Sequence, residues 1–248
     1  MPYIAVTALS HAGLVREHNE DSLVVGPWTL CGTVTDTPQT LVFPLGRPLV
    51  VAVADGLGGQ PAGEVASALT VRRLSSLGPS LDGASALGDA LDLCNDEVYS
   101  AAAGRPELVT MGTTVAGALV LADALLVFNV GDSKVYDASR GALRQVSVDD
   151  SPPPEPGRRT TSAVTQTLGG TRAFGAVTPH VAAFALSVGD RYLVCSDGLT
   201  DPLPDEEIEC VLRVHDDGRA AFELWKAAIE AGGPDNITLA LVRIGDNG

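Results

Sequence analysis

Four aspartates of this chain occupy one kind of position. Asp55 closes the apolar run 50–54 and opens Gly56-Leu57-Gly58-Gly59, Asp132 follows 125–131, Asp197 follows 192–196, and Asp235 directly precedes the run 236–241. Each stands at the mouth of an expected buried strand, which delivers a carboxylate with little positional freedom. The glycines after Asp55 let backbone and water approach closely. Asp and Gly are also ordinary turn residues, so any one of these acids alone reads equally as a strand ending in a turn; the recurrence is what points to chemistry. If the strand ends meet, they offer hard oxygen ligands without His or Cys, a set that suits Mg²⁺ or Mn²⁺ better than zinc.

Two such cations held about 3.5–4 Å apart by a shared carboxylate can bind one water between them and lower its pKa, so that a bridging water or hydroxide attacks phosphorus in line. The cations neutralise charge on the phosphoryl oxygens, and a guanidinium can grip the remaining ones through its bidentate fork. Arg16 is the candidate for that grip. Its segment, Arg16-Glu17-His18-Asn19-Glu20-Asp21, also brings Glu20 and Asp21 to the metal side. Alone, the segment is equally a solvated charged turn, and His18 reads as a surface or capping residue.

Positioning these groups requires strands. Strand character covers 3–9 and 22–30, and 48–54 is a clear buried strand. Val65, Ala66, Leu69, Leu74 and Leu77 approximate helical spacing over 63–77, and a second helix is expected over 84–103. The apolar runs 113–121, 124–130 and 134–138, separated by Ala122-Asp123 and Gly131-Asp132-Ser133, read as an antiparallel meander. Pro152, Pro153, Pro154 and Pro156 make 149–162 an exposed loop. Strands at 181–186 and 191–195, helices at 205–213 and 219–231 and a last strand at 236–244 complete the pattern. Long-range strand returns with helices in pairs predict an α+β fold of two packed antiparallel sheets covered by helices.

The 248 residues can bury a proper core and no linker-like composition divides them, so one domain over 1–248 is expected. A hydrophobic fraction of 45% and a charged fraction of 19% describe a globular chain, neither disordered nor coiled-coil. The net charge of −15 argues against nucleic acid as a partner and is compatible with a carboxylate-rich metal site. Cys31, Cys94, Cys195 and Cys210 lack CxxC spacing, which argues against a zinc knuckle or a disulfide framework and fits a reducing cytosol. No apolar run approaches the ~20 residues of a membrane span, and no basic-then-apolar leader opens the chain. A cytoplasmic protein without a membrane partner is expected.

In order along the chain stand Arg16-x-x-Asn19-Glu20-Asp21-Ser22, Ala54-Asp55-Gly56-Leu57-Gly58-Gly59, Gly112-Thr113-Thr114, Gly131-Asp132-Ser133, Ser196-Asp197-Gly198-Leu199 and Asp235-Asn236-Ile237-Thr238. This succession, spanning 16 to 238, resembles the bacterial metal-dependent type 2C serine/threonine protein phosphatases, the PPM family. The resemblance implies a four-layer αββα sandwich, two packed antiparallel sheets flanked by pairs of helices. It implies two Mn²⁺ or Mg²⁺ ions bridged by Asp55, with the carbonyl of Gly56 on one and Asp197 and Asp235 on the other. Glu20 would act mainly through metal-bound water and Arg16 would hold the substrate phosphate. Asp132 with Asp197 would form a weaker third-metal site, and Asp21 and Asn236 would support, Asn236 by orienting the loop. The implied partners are a phosphorylated protein substrate and an opposing Ser/Thr kinase, with the enzyme a monomer.

Two departures stand out. Lys134 occupies the position after Gly-Asp-Ser where the family often has Arg; it cannot reproduce a planar bidentate contact, and a structural consequence is expected. The flap-equivalent loop at about 149–165 is short and proline-rich where bacterial relatives carry a longer, partly helical flap. Among rival readings, no cysteine has an Arg placed for a thiolate phosphatase, so Cys195 and Cys210 are expected to pack. Neither GxxxxGK[ST] nor GxGxxG is present for a nucleotide. The remaining alternative is a non-catalytic PPM-like regulator that binds a phosphoprotein, which would normally have lost a metal ligand.

Overall fold

The computed structural model of the protein describes residues 1–57, 62–157, 159–161 and 163–246. Gly58 and Gly59 of the sequence motif lie outside the described residues. In chain order the elements begin with β1 (Pro2–His11), the hairpin β2 (Ser22–Val25) and β3 (Trp28–Cys31), β4 (Gln39–Pro44), β5 (Leu49–Ala54) and β6 (Gly56–Leu57). The helices α1 (Gly63–Leu77) and α2 (Ala84–Ala102) come next, then β7 (Gly112–Thr113), β8 (Val115–Val120), β9 (Ala124–Val130), β10 (Lys134–Asp137), β11 (Arg144–Gln145) and β12 (Leu168–Gly169). After them come β13 (His180–Ala185), β14 (Arg191–Cys195), α3 (Asp197–Thr200), α4 (Asp205–Val214), α5 (Asp217–Glu230) and β15 (Ile237–Asp246).

Among the described residues β12, β7 and β6 form a small sheet, and the other twelve strands form two six-stranded antiparallel sheets. One has the order β11-β10-β14-β15-β1-β4 and the other β13-β9-β8-β5-β2-β3. They pack face to face with α1 and α2 outside one and α4 and α5 outside the other, the four layers expected. The central strands read as continuous apolar runs because both of their faces are covered. In β15, Ala240, Val242 and Ile244 fill the space between the sheets, while Leu239 and Leu241 meet the helices. In β5, Val51 and Val53 face inward and Val50, Ala52 and Ala54 pack under α1 and α2. Helix α4 carries Asp205, Glu206 and Glu207 in its first turn and Arg213 in its last, complementing the helix dipole at both ends.

Several expectations need correction. The segment 22–30 is a hairpin, turned at Gly26, where φ is +56°. Strand β4 is absent from the sequence reading, which passes over its short apolar run Leu41-Val42-Phe43, followed at once by Pro44; it is a mostly exposed edge strand. The meander is only half right. β8 and β9 pair from Val115↔Val130 to Val120↔Leu125, but β10 leaves that sheet and pairs with β14 in the other. Gly131 makes the crossing possible: its φ is +106°, and a Cβ there would sit 2.6 Å from the Thr114 side chain. Cys195 is buried as expected, whereas Cys210 is exposed on α4. The described residues between β11 and β12 contain no helix or strand, as the prolines dictate. No helix among the described residues is long and apolar enough to cross a membrane.

Candidate active site

Strand register brings the expected acids together. Ser22 pairs with Ala54, so Asp21 and Asp55, each one residue beyond that pair, leave the sheet side by side. In the other sheet Cys195 pairs with Leu239 and the Ser196 amide donates to the Thr238 carbonyl at 3.0 Å. Asp197 and Asp235 therefore emerge from neighbouring strands at the same end. Asp55 is fixed through its backbone, its amide donating to Thr114 Oγ1 at 3.3 Å and its carbonyl accepting from the Thr114 amide at 2.9 Å and Thr113 Oγ1 at 2.8 Å. The pairing of Gly56 with Thr113, in the small sheet β12-β7-β6, extends this anchorage.

The loop 12–21 is held from behind. Asn236 Nδ2 donates to the carbonyls of Ala12 (3.0 Å) and His18 (2.9 Å), and its Oδ1 accepts from the Glu20 amide at 2.7 Å. Asn236 thus orients the loop. Asn19 Nδ2 donates to Ser10 Oγ and the Thr33 carbonyl, and Ser10 Oγ meets Thr238 Oγ1 at 2.8 Å. Ser196 Oγ completes this buried polar ladder by donating to Asp21 Oδ2 at 2.8 Å. Gly56 and Gly63 press together beside Glu20; a Cβ on Gly63 would come within 2.2 Å of Glu20 Oε2. At the rim, Arg16 Nη2 donates to Asp235 Oδ2 at 2.7 Å, with half of the arginine side chain exposed.

Like charges and burial act on the centre in the same direction. Burial first, then the charges of Asp21, Asp197 and Asp235, push Asp55 well above the usual carboxylate range. Burial raises Asp21 to about 7, against hydrogen bonds from Thr238 and Ser196. Burial, then the charges of Asp132, Asp201 and Asp235, raise Asp197 to about 8. Asp132 is raised to about 6 by burial, opposed by Lys134, and Glu20 is raised by burial, opposed by Arg16. The charges of Asp21 and Asp197 are the two that act most strongly on Asp55. Carboxyls so placed cannot all ionise together, and they share protons.

Among the described residues no group of three or more Asp, Glu, His or Cys side chains is yet drawn around a single metal position. The donor set nevertheless fits divalent cations. Asp21 Oδ1 and Asp197 Oδ1 are buried and accept no hydrogen bond, and every candidate ligand is a hard oxygen. Cations at these acids would remove the need for shared protons.

On the far side of the acids a cleft of about 380 Å³ runs between the proline-rich loop and the start of α4, lined by Asp132 and Asp197 at its base. Lys134 pairs with Asp149 of that loop. Arg159 donates to the carbonyls of Thr200 and Asp201. Asp201 escaped the sequence reading. It stands four residues after Asp197, and the helical turn of α3 brings it close enough for its charge to raise Asp197; the i,i+4 spacing was the available signal. Glu64, in the first turn of α1, likewise acts on Glu20.

The family model described as Protein phosphatase 2C matches residues 40–237. The chain belongs to the protein phosphatase 2C family. It is 33% identical over 250 residues to the serine/threonine protein phosphatase PstP of Mycobacterium tuberculosis, a match covering 96% of this chain and 45% of that protein. The chain therefore spans about half the length of that relative. Over 247 residues it is 30% identical to the serine/threonine phosphatase stp of Listeria monocytogenes, covering 93% of this chain and 92% of the other. The crystal structure of the PstP catalytic domain in complex with two manganese ions superposes with a TM-score of 0.80 at 30% identity, covering 99% of this chain and 100% of that one. The αββα sandwich is thus the protein phosphatase 2C fold, and the strand ends that carry the acids belong to it.

Proposed function

We propose that the protein is a metal-dependent serine/threonine protein phosphatase that hydrolyses phosphoserine or phosphothreonine without a covalent phosphoenzyme. The observation that carries this reading is the convergence of Asp21, Asp55, Asp197 and Asp235 on a half-buried centre with uncapped carboxylate oxygens. Asp55, the Gly56 carbonyl, Asp197 and Asp235 would hold two Mn²⁺ or Mg²⁺ ions, with Glu20 acting through water and Asp132 and Asp197 offering a third position. When bound, the ions supply an acidified water as nucleophile and neutralise charge on the phosphoryl oxygens.

The chain's own residues do the rest. Arg16 turns from Asp235 to grip phosphoryl oxygens, replacing one charge-assisted contact with another. Asn236 fixes the loop that carries Arg16 and Glu20, so that the guanidinium approaches from one direction. Asp21, held by Ser196, sets the charge and position of Asp55. The two-manganese complex of the PstP catalytic domain and the serine/threonine specificity in the names of both relatives support the reading. The same reading makes residues 1–248 one phosphatase domain, monomeric and cytoplasmic, opposing a Ser/Thr kinase on a phosphoprotein.

The test is phosphate release from a phosphothreonine peptide with Mn²⁺, compared with EDTA and with Asp197→Ala. Release with Mn²⁺ alone is expected. Equal rates in all three would sink the proposal, and tight peptide binding without release would favour the non-catalytic regulator.

A further inference from the structure

Leu14 and Val15, the two residues before Arg16, are 63% and 67% exposed. They are the only consecutive pair among the exposed large apolar side chains of the described residues. Leaving that much aliphatic surface in water forgoes about 25 cal/mol for every Å², and single exposed apolar residues need no explanation while adjoining ones do. Their exposure is fixed by the backbone. The Leu14 amide donates to the Gly233 carbonyl at 2.8 Å, and Asn236 Nδ2 clamps the carbonyls of Ala12 and His18 on either side of the turn. Pro234, also exposed, follows Gly233 and leads directly into Asp235. An apolar rim therefore borders the Arg16–Asp235 pair, while the opposite rim, at the cleft, carries Lys134, Arg159, Asp201 and Glu206.

We infer that Leu14 and Val15 form the apolar contact for an aliphatic or aromatic side chain flanking the phosphorylated residue of the protein substrate. The inference rests on the phosphatase reading of the same site. Two extended residues span at most about 7 Å, which is also the separation between a phosphorylated residue and its near neighbours in an extended substrate. With the phosphate on Arg16, such a neighbour reaches the exposed aliphatic side chains of Leu14 and Val15. Its burial adds affinity by removing apolar surface on both partners from water. Selection for an apolar neighbour thus comes from one rim of the site.

The experiment compares the wild type with Leu14→Ser and Val15→Ser on three substrates with Mn²⁺. These are a phosphothreonine peptide with Leu and Phe beside the phosphothreonine, the same peptide with Gly and Ser there, and p-nitrophenyl phosphate, which has no neighbours. The wild type is expected to prefer the first peptide, and each variant to lose roughly tenfold in kcat/KM on it, mostly through KM. The other two substrates should change less than twofold. Equal losses on all three would overturn the inference, because the residues would then act through Arg16. Unchanged kcat/KM on the Leu and Phe peptide would also overturn it. Failure of the wild type to hydrolyse any of the three would instead remove the phosphatase reading beneath it.

Discussion

Strands β14 and β15 carry a buried charge cluster at each end, and the two are built on opposite terms. At the end remote from the candidate active site, Arg191 pairs in register with Arg243, and both guanidinium groups close on Asp217, at 2.7 and 2.5 Å. Arg191 also donates to the carbonyls of Leu212 and His215, where α4 ends. The cations there find both a carboxylate and the negative end of a helix. At the other end of the same strands, Asp21, Asp55, Asp197 and Asp235 gather beside the half-exposed Arg16, which pairs with Asp235. The remote cluster sets each of its cations against the Asp217 carboxylate. The near one gathers four acids around few donors, with Asp21 Oδ1 and Asp197 Oδ1 buried and accepting no hydrogen bond, and that excess of carboxylate is what the proposed cations would balance.

The largest test of the contrast removes one carboxylate from each end. Asp55→Asn should lower kcat with saturating Mn²⁺ on the order of a thousandfold or more, because an amide would not replace the carboxylate proposed to bridge the two metals. It should also leave the metal-free protein no less stable, since it relieves carboxylate crowding. Asp217→Asn should do the reverse, costing about 3–5 kcal/mol by leaving Arg191 buried with its main partner gone, while kcat well below the unfolding temperature stays within twofold. Denaturant melts and steady-state rates on both variants measure this. A stability loss of the same size in both would erase the distinction between the clusters.

A smaller effect belongs to Arg16, the cation paired with Asp235 at the near end. Arg16→Ala should raise the apparent KM for a phosphothreonine peptide by roughly 10–100-fold with a lesser change in kcat. An unchanged KM with a collapsed kcat would argue against a simple grip on the phosphate, and would place Arg16 with the acids as part of the reacting centre.

The two ends also differ in how far the sequence disclosed them. Asp55, Asp197 and Asp235 were legible because a continuous apolar run fixes where a strand stops, and the acid at its mouth inherits that position. Asp201 was hidden because its placement depends on a helical turn too short to show periodicity. The crossing of β10 into the other sheet was hidden because Gly131 and Thr114 meet only in three dimensions; pattern alone made the third strand of a meander. The ladder Ser10, Thr238, Ser196 and Asp21 joins residues more than two hundred positions apart, and so does the Arg16–Asp235 pair. The Arg191–Asp217–Arg243 cluster left no mark in the sequence reading, because its charges come from three separate elements.

The smallest effect sought is a slope with pH, and it separates the two clusters without mutation. In the metal-free protein burial and like charge raise Asp55, and raise Asp21 to about 7 and Asp197 to about 8, whereas an unfolded Asp titrates near 3.9, roughly. Between the unfolded and folded values the native state binds more protons, so stability falls as pH rises, by about 1.4 kcal/mol per pH unit for each proton fully linked. The contribution is present in full only below the unfolded value and is lost as pH rises through about 7 for Asp21 and about 8 for Asp197. Thermal melts from pH 5.5 to 8 with EDTA should therefore show Tm falling by several degrees, at roughly 2–4 °C per kcal/mol for a chain of this size. Saturating Mn²⁺ should flatten or reverse the slope, because cations replace the shared protons and bind better as the acids ionise. Asp217→Asn should shift both curves down without changing either slope, since its partners are arginines that do not titrate in this range. Parallel slopes with and without Mn²⁺ would mean that the acids of the near end do not hold the metal.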